Sequence, residues 1–531
     1  LPGLADPAPL DESFFDLGGH SILATRLVFQ LRHKLGVHVP LGLVFDAPTI
    51  AQLAAATEKI SSGGTDFLVA APDAAKENAS SGDLDYAKDA QVLESELPAS
   101  FMRATPAGEP RVVLLTGATG FLGAYVLADL LDKRRNHVQK VYVHVRANDA
   151  GSAQRRLRDA LAGRGLWREA WEQEGRVQAV VGDLSKPHLG LNDADWAHLV
   201  EEVHVIVHNG ALVHWVYPYS KLRAANVLST MAVMRLANEG RPKSVAFVSS
   251  TSALDTEYYI RFSDTSAQGV LESDSLDGSA SDLKSGYGQS KWVAERLLMA
   301  AASRGLAAAI IRPGYVVGDS KTAVTNTDDF LFRLIKGSAQ LGLIPDMNNT
   351  INMVPVDHVA RVTSLAGLAA TQWPENRQTH AAVFHVTSHP TIRYNEFLGA
   401  LIEYGWNVRP AEYLEWRTAL ENHVLASAAA GNTGLDADSN ALFPLLHFVL
   451  DDLPTSTKSP ELNDANTTKL LTEAHELDVV RGVDVPLVGL YLSWLVAVGF
   501  LPPPASKSAR ALPTLPEGVA RQAMGRGSAA V

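Results

Sequence analysis

Six short runs rich in valine and isoleucine recur along the middle of the chain, and helical stretches separate one run from the next. Continuous apolar runs of this length are typical of strands that are buried on both faces of a sheet. Strands that alternate with helices form parallel, doubly wound sheets. The sequence therefore predicts an α/β fold with a doubly wound Rossmann parallel sheet. Its expected strands are Arg111–Thr116, Val141–Val145, Val177–Val181, Val203–His208, Ser244–Ser249 and Ala309–Arg312.

The 531 residues are too many for one domain, and their pattern changes along the chain. Residues 1–60 have apolar side chains at helical spacing and are expected to form a small four-helix domain. Residues 61–98 are rich in Ser, Gly, Ala and Asp and are expected to be a flexible linker with an r.m.s. reach of roughly 35 Å. We expect the Rossmann domain over 99–385 and a smaller C-terminal substrate or cap domain over 386–505. Residues 506–531 are expected to be a disordered tail.

One serine of the first domain lies in a setting that suits a covalent prosthetic group. Ser21 follows Gly18-Gly19-His20 and begins a predicted helix, so its hydroxyl is expected to be exposed. The N-terminus of a helix also favours the phosphate that such a modification adds. Ser21 is therefore predicted to carry a 4′-phosphopantetheine arm, which makes residues 1–60 a candidate carrier domain.

Three glycines, Gly117, Gly120 and Gly123, directly follow the first predicted strand and open a helix. In a dinucleotide-binding loop the first glycine makes the turn, the second lets the backbone approach the pyrophosphate, and the third packs helix against sheet. The sequence therefore predicts a nicotinamide dinucleotide site at this end of the sheet. The residues expected to line it are Gly117, Thr119, Gly120, Phe121, Leu122, Gly123, Arg146, Arg156, Asp183, Leu184, Asn209, Gly210, Ala211, Tyr287, Lys291, Pro313 and Gly314.

The residue after the second strand indicates which dinucleotide is bound. NAD enzymes usually have an acidic residue there for the ribose 2′-hydroxyl, whereas this chain has Arg146. Arginine suits a 2′-phosphate, with Arg156 as a candidate second ligand, so the sequence favours NADPH. Asp183 follows the third strand, where it is expected to reach the adenine, and Asn209 follows the fourth, under the cofactor.

Tyr287 and Lys291 are four residues apart and are expected to share one face of a helix. A tyrosine is a poor acid at neutral pH, and a neighbouring cation lowers its pKa. Thr251 ends the fifth strand, where its hydroxyl is expected to hydrogen-bond a carbonyl oxygen as charge develops there. Thr251, Tyr287 and Lys291 are therefore the candidate catalytic set, with Ser250 as the alternative to Thr251.

Other chemistries have less support. His208, His214 and His358 lack the spacing of metal ligands, so structural roles and no metal site are expected. The chain has no cysteine, which excludes an acyl-cysteine intermediate and requires that any thiol come from a prosthetic arm. The net charge of −12 argues against nucleic acid, and no run of residues is long and apolar enough for a membrane span. The lack of disulfides fits the cytoplasm.

Together these motifs resemble the thioester reductases, an extended branch of the short-chain dehydrogenase/reductase family that follows carrier domains. The resemblance is closer still to the fungal L-2-aminoadipate reductases. It covers nearly the whole chain except the linker and the tail. The segments that carry it are Phe14–Thr25, His208–Tyr219, Gly286–Trp292, Asn352–Ala360 and Leu445 through Lys458.

The resemblance implies that the chain reduces an L-2-aminoadipyl thioester on Ser21, with NADPH, to L-2-aminoadipate 6-semialdehyde in lysine biosynthesis. It also implies a phosphopantetheinyl transferase, and an adenylation domain that precedes Leu1 and loads aminoadipate with ATP. The start Leu1-Pro2-Gly3 is neither a signal peptide nor a natural beginning, so we expect a fragment of a longer protein.

Three alternatives stay open at the level of sequence. A carboxylic acid reductase for another acid would need an apolar cleft. A sugar-nucleotide epimerase or dehydratase uses the same scaffold, glycine loop and tyrosine–lysine pair, although the carrier domain argues against it. A binding module that holds a cofactor and docks a carrier would be excluded by hydride transfer.

Overall fold

The structure is a computed structural model, and it describes part of the chain. The described residues are 10–12, 14, 24, 27–28, 30–31, 34–37, 39, 43–61, 84–104, 110–214, 217–371, 381–429, 440–442, 445–446, 449, 453, 457–506 and 510–519. Ser21 and the preceding Asp16–His20 lie outside this range, so the predicted attachment site has no structural description here.

A parallel sheet of seven strands forms the centre of the molecule. Its strand order is β11-β6-β5-β4-β1-β2-β3, so the chain starts in the middle, winds to one edge and then crosses to the other. This order is the doubly wound arrangement, and it confirms the predicted fold class. The strands are β1 (Arg111–Thr116), β2 (Val138–Val145), β3 (Val177–Val181), β4 (Val205–His208), β5 (Ser244–Val248), β6 (Ala308–Pro313) and β11 (Ala382–Val386).

All six predicted strands are present, and the seventh, β11, is a strand that the sequence reading missed. It pairs with β6 from Ala382 opposite Ala309 to Val386 opposite Pro313. The short run Ala-Val-Phe-His-Val lies where the alternation of strands and helices becomes irregular. Its pairing is made across about 70 residues of chain, so local pattern gives little sign of it.

Side chains of the central strand alternate between two buried layers. Val112 and Leu114 belong to one apolar cluster, and Val113 and Leu115 belong to another on the opposite face. This alternation is the period of two that strand geometry imposes, and both faces are covered by helices. Both faces of the sheet are therefore apolar and buried, and polar functional groups are expected at the carboxyl ends of its strands.

Helices surround the sheet on both sides. The described helices up to the fifth strand are α1 (Leu43–Asp46), α2 (Ile50–Ser61), α3 (Tyr86–Glu96), α4 (Phe121–Ala128), α5 (Ala150–Ala162), α6 (Glu169–Gln173), α7 (Asp193–Glu202), α8 (Tyr219–Arg223) and α9 (Ser229–Ala237). Those that follow are α10 (Glu257–Thr265), α11 (Gly286–Ser303), α12 (Phe330–Leu341), α13 (Val356–Ala369), α14 (Tyr394–Glu403), α15 (Tyr413–Ala429), α16 (Ala465–Glu473) and α17 (Val485–Ala497).

A third apolar cluster lies beyond the sheet and joins three stretches of the chain. It combines Val28 and Leu53, from the predicted carrier range, with residues of the segment that follows β6, such as Phe330, and of the C-terminal region, such as Trp416 and Trp494. Its short strands are β7 (Tyr315–Val317), β8 (Leu343–Pro345), β9 (Thr350–Ile351), β10 (Met353–Pro355), β12 (Ile392–Arg393) and β13 (Arg409–Ala411). Part of the predicted Rossmann range thus packs with the C-terminal region, while the division into domains stays a prediction.

Two segments differ from their predicted irregular character. Tyr86–Glu96, inside the predicted linker, is helix α3, capped by the Asp85 side chain. In the predicted tail, Arg510–Val519 runs along the C-terminal region, where Pro513 accepts a hydrogen bond from Ser493 at 2.7 Å. Contacts with distant residues stabilise both segments, and composition does not reveal such contacts.

A candidate cofactor and reducing site

The glycine loop links the end of β1 to the start of α4. Gly117 has a φ of +76°, and a Cβ there would lie 2.6 Å from Cα of Gly210. A Cβ on Gly123 would lie 2.1 Å from the carbonyl oxygen of Gly117. Both positions therefore require glycine, one for its backbone angle and both for close packing. The amide of Gly120, the N-cap of α4, donates to Gly117 at 3.0 Å.

The loop after β4 is tied to this turn from the side. The Thr116 hydroxyl accepts from the amide of Gly210 at 2.9 Å and contacts Nδ1 of His208 at 2.9 Å. The Asn209 amide donates to the carbonyl of Gly117 at 3.3 Å. A Cβ on Gly210 would lie 2.7 Å from Leu184. The ends of β1, β3 and β4 thus form one cradle at the start of α4, where backbone amides at a helix N-terminus suit a pyrophosphate.

Two arginines lie together beyond β2, at the side of this cradle. Arg156 reaches from α5 and donates to the carbonyl of Arg146 at 2.8 Å. Burial and the charge of Arg146 lower the pKa of Arg156. The positive charges of the two side chains repel each other, so the pair favours a bound anion. This geometry fits the predicted ribose 2′-phosphate.

Asp183 lies on the same edge, after β3. Burial opposes its ionisation, but hydrogen bonds from Ser185 and the charge of Arg146 lower the pKa of Asp183 overall. The Ser185 amide and hydroxyl donate to its Oδ1 at 2.9 and 2.7 Å. The carboxylate is therefore ionised at neutral pH and fixed by a tight turn, and contact with the adenine stays a prediction.

Tyr287 lies in the first turn of α11, between two glycines that bring it close to neighbouring segments. A Cβ on Gly286 would lie 2.3 Å from the carbonyl oxygen of Tyr217. A Cβ on Gly288 would lie 2.7 Å from the carbonyl oxygen of Ser252. The helix thus begins in contact with the segments after β4 and β5, and the half-buried Tyr287 ring is held between them.

Lys291, one turn further along α11, is buried below Tyr287. Its ammonium donates to the carbonyl of Val248 at 2.7 Å and lies 5.8 Å from the centre of the Tyr287 ring. Burial lowers the pKa of Lys291 to about 7, although the charge of Glu295 raises it in part. The structure therefore brings the predicted tyrosine and lysine together. The ammonium of Lys291, which titrates near neutral pH, lies between the Tyr287 ring and strand β5.

Thr251 begins the short 3₁₀ turn Thr251–Leu254 directly after β5. The Ser250 hydroxyl accepts from the amide of Ser252 at 3.1 Å and lies 3.0 Å from its hydroxyl, so it caps this turn. The Thr251 hydroxyl has no hydrogen-bond partner among the residues that the structure describes. Of the two candidate hydroxyls, Thr251 is the one available to a carbonyl oxygen.

Sequence reasoning missed a buried asparagine that holds the site together. Asn226 lies in a wide π-type turn, Ala224–Leu228, that joins α8 to α9. Its amide donates to the Ser290 hydroxyl and to the carbonyl of Leu212, both at 3.0 Å, and its oxygen accepts from the amide of Leu212 at 2.7 Å. A lone asparagine in the run Ala-Ala-Asn-Val-Leu is the only sequence signal for this role.

A second missed feature is an ion pair beneath the site. Glu295 and Arg312 are fully buried and pair at 2.7 Å, and the Ser249 hydroxyl also donates to Glu295. Arg312 contacts Nε2 of His385 at 2.9 Å. The pair thus joins α11 to strands β5, β6 and β11, and it fixes the helix that carries the tyrosine and lysine.

The histidines and the Asp328–Asp329 pair have local roles. Burial lowers the pKa of His208 and that of His358 to about 3, so both side chains are neutral. The His214 ring stacks on Tyr217 at 3.6 Å. Asp329 caps helix α12, and Asp328 pairs with Arg333 at 2.7 Å. Across the described ranges, no group of three or more His, Cys, Asp or Glu side chains could hold a metal ion.

None of the helices in the described part of the chain is long and apolar enough to cross a membrane.

Comparison with protein-family models gives two matches. Residues 115–363 match the NAD-binding family described as male sterility protein, and residues 3–57 match the family described as phosphopantetheine attachment site. The second match includes Ser21.

Known proteins are similar over most of the chain. The L-2-aminoadipate reductase of Schizosaccharomyces pombe is 47% identical over 503 residues, which are 93% of this chain and 34% of that protein. The L-2-aminoadipate reductase of Saccharomyces cerevisiae is 47% identical over 524 residues, 95% of this chain and 36% of that protein. The chain thus spans about a third of the length of these curated relatives.

A solved structure, the terminal R domain from the myxalamid PKS-NRPS biosynthetic pathway, aligns with a TM-score of 0.67 at 32% identity. It covers 79% of this chain, and all of that domain is covered.

Proposed function

Because this chain belongs to the family of terminal reductase domains, here preceded by a phosphopantetheine carrier domain, we propose that it reduces an acyl thioester held on its own carrier to an aldehyde. The observation that carries the proposal is the Lys291 ammonium 5.8 Å from the centre of the Tyr287 ring, at the same carboxyl edge of the sheet as the glycine loop. A dinucleotide cradle and a proton-donating set at one sheet edge fit hydride transfer to a carbonyl.

NADPH fits the residues of the cradle. The positions of Gly117 and Gly123 leave no room for a side chain, and the N-terminus of α4 offers backbone amides to a pyrophosphate. Arg146 and Arg156 supply charge for a 2′-phosphate, which supports NADPH over NADH. When bound, NADPH supplies the hydride that the carbonyl carbon of the thioester receives.

The side chains of the protein would provide the rest of the reaction. The free Thr251 hydroxyl donates a hydrogen bond to the carbonyl oxygen, and Tyr287 gives that oxygen its proton. When it is protonated, Lys291 places a positive charge 5.8 Å from the centre of the Tyr287 ring. The hydride on carbon and the proton on oxygen give a hemithioacetal; its C–S bond then breaks as the hydroxyl proton passes to the leaving sulfur. One hydride and one proton thus yield an aldehyde and the free thiol of the arm, without a protein thiol, which this chain lacks.

We further propose that the acyl group is L-2-aminoadipyl and the product L-2-aminoadipate 6-semialdehyde, a step of lysine biosynthesis. The names of the relatives that match nearly the whole chain support this substrate. Ser21, within the carrier match, would carry the arm after a phosphopantetheinyl transferase modifies it. An adenylation domain would load aminoadipate with ATP. A cysteine-free chain suits a reducing compartment, and we place the reaction in the cytoplasm.

Replacing Tyr287 with Phe tests the proposal. Removing the proton donor should slow NADPH oxidation with a free aminoadipyl-pantetheine thioester by about 10²–10⁴-fold, while the affinity for NADPH, measured by fluorescence titration, changes little. The control is Tyr258→Phe, because Tyr258 is exposed on α10 outside the site. A near-normal rate for Tyr287→Phe would contradict the assignment.

The tether can be separated from the chemistry with Ser21→Ala. This variant should reduce the free thioester at the rate of the wild-type chain and lose reduction of the carrier-bound group. Aldehyde formation, followed by trapping with a hydrazine, distinguishes reduction from mere binding of a cofactor and a carrier.

A further inference from the structure

Glu295 is a fully buried carboxylate two turns after Tyr287 on α11, and the proposed chemistry does not use it. Tyr287, Lys291 and Glu295 follow one another at intervals of four residues, so they share one face of the helix. Lys291 donates to the carbonyl of Val248 at 2.7 Å, and Glu295 accepts a hydrogen bond from the hydroxyl of Ser249. Successive turns of α11 therefore hold successive residues at the end of β5.

The same stretch of chain carries the hydroxyl that is proposed to bind the carbonyl oxygen. Thr251 follows Ser249 by two residues, and next to it the carbonyl oxygen of Ser252 would lie 2.7 Å from a Cβ on Gly288. The amide of Ser249 donates to the carbonyl of Ile311 on β6 at 2.7 Å. Ser249 is thus held by a neighbouring strand through its backbone and by α11 through its side chain, directly before the turn with Thr251.

Arg312 holds the Glu295 carboxylate from strand β6. Its Nε and Nη2 donate to Oε2 of Glu295 at 2.9 and 2.7 Å, while Oε1 accepts from the Ser249 hydroxyl. His385 contacts Nη1 of the arginine at 2.9 Å. A bidentate arginine fixes the orientation of a carboxylate as well as its charge. The position of Oε1, and with it the position of Ser249 relative to α11, is therefore fixed.

We propose that Glu295 is a positioning residue of the reducing site, which sets the register of α11 against the end of β5 and places a negative charge beside the Lys291 ammonium. The inference rests on the proposed function, since Thr251, Tyr287 and Lys291 are the reducing set of that proposal. Glu295 is fully buried, so it acts through Ser249 and Lys291. A displacement of about 1 Å within a reacting set can cost about 10²-fold in rate.

The charge of Glu295 also affects the ionisation of Lys291. Burial lowers the pKa of Lys291 to about 7, and the charge of Glu295 opposes this shift. Burial lowers the pKa of His208 to about 3, so this neighbour is neutral. The described groups that surround the ammonium are Tyr287 and Glu295 of α11, His208 of β4, Phe247 of β5 at 4.6 Å and, behind Glu295, Arg312 of β6. Without the carboxylate, Lys291 should lose its charge at a lower pH.

Glu295→Gln tests the proposal with a free adipyl-pantetheine thioester, which lacks the ammonium of the aminoadipyl group. Glutamine keeps the shape of the side chain and an oxygen for Ser249 but removes the charge. We expect kcat at pH 7 to fall about 10-fold, while KM for NADPH changes less than about twofold. The midpoint of the pH profile of kcat should move about one pH unit lower, because the anion that favours the charged lysine is gone.

Ser249→Ala separates the register from the charge. This variant removes the hydroxyl that Glu295 holds and leaves the ion pair with Arg312 in place, so the fold should be retained. We expect kcat to fall about 10-fold at every pH, with the midpoint of the profile unchanged. The control is Glu272→Gln, which removes another buried carboxylate, one that accepts from the amides of His385 and Asn466 at 2.8 and 2.6 Å. It should leave the midpoint in place.

Three results would overturn the role of Glu295. They are a pH midpoint that does not move in Glu295→Gln, a normal kcat in Ser249→Ala, and an equal movement of the midpoint in Glu272→Gln. Thermal unfolding checks that each variant is folded, and Ser249→Ala still decides the register if Glu295→Gln is not. If the wild-type chain binds NADPH but does not oxidise it with any thioester, the proposed function fails and the role of Glu295 fails with it.

Discussion

At the scale of single residues, Lys291 is the group whose charge is most sensitive to its surroundings. It is 2% exposed, its ammonium donates to one backbone carbonyl, and burial lowers its pKa to about 7. The usual value for lysine is near 10.4, so a side chain that is normally charged at every physiological pH titrates here. Because the charge of Lys291 changes near neutral pH, the ability of the neighbouring Tyr287 to donate a proton is expected to depend on pH.

The pH profile of the reaction follows from this shift. Below about pH 7 Lys291 is charged, and its charge would stabilise the tyrosinate that proton donation leaves behind; above that pH the charge is lost. We expect kcat to fall as pH rises through about 7, measured with the adipyl thioester so that no substrate ammonium takes part. Lys291→Arg keeps its charge throughout and should give a flatter profile at a lower rate. A flat wild-type profile between pH 6 and 9 would contradict the role.

At the scale of elements, most of the fold is predictable because neighbouring residues along the chain determine the strands and the glycine loop. The runs that form the first six strands are mostly apolar, and the glycines of the loop are required by a backbone angle and by close contacts. Tyr287 and Lys291 are recognisable because one helix face holds both. Residue pattern alone therefore predicts six of the seven strands, the glycine loop and the pairing of Tyr287 with Lys291 on one helix face, while their catalytic roles stay predictions.

What the sequence does not reveal depends on pairing between distant elements. Helix α3 has few apolar residues and is held by the buried Asp89, whose partner Arg223 is far along the chain. Asn226 acts through Ser290, and Glu295 pairs with Arg312. In each case the residue type is common and its neighbours in the sequence do not mark it. Its role depends on a contact with a residue that only folding brings near.

The proposed preference for NADPH depends on two elements, since β2 leads into Arg146 and α5 supplies Arg156. Arg146→Ala removes one charge-assisted contact, worth about 1.5–3 kcal/mol, so KM for NADPH should rise about 10–100-fold while KM for NADH changes little. Arg155→Ala is the control, because Arg155 is exposed on the same helix. Equal changes with both cofactors would show that Arg146 does not contact the 2′-phosphate.

At the scale of the whole molecule, helix α3 fixes one end of the connection between carrier and reductase. The Tyr86 ring packs edge-on against Trp292 of the catalytic helix at 5.3 Å. Asp89 is buried, accepts from Tyr219, and pairs with Arg223 through hydrogen bonds of 2.7 and 2.9 Å. Residues 62–85 separate α2 from α3. If they form the flexible linker that the sequence predicts, these 24 residues have an r.m.s. reach of about 27 Å, shorter than the whole predicted linker would have.

A shorter tether raises the effective concentration of the loaded arm at the site, which falls roughly as the −3/2 power of linker length. Freeing α3 would lengthen the tether from about 24 to about 39 residues and lower that concentration about twofold.

We therefore expect Asp89→Asn, which breaks the ion pair, to slow single-turnover reduction of the carrier-bound group about twofold and to leave kcat/KM for a free thioester unchanged. Glu96→Gln, exposed at the end of the same helix, should change neither rate. If Asp89→Asn slows both reactions equally, α3 supports the catalytic helix itself, because its contacts with Tyr219 and Trp292 would then act on the position of Tyr287 and not on the tether.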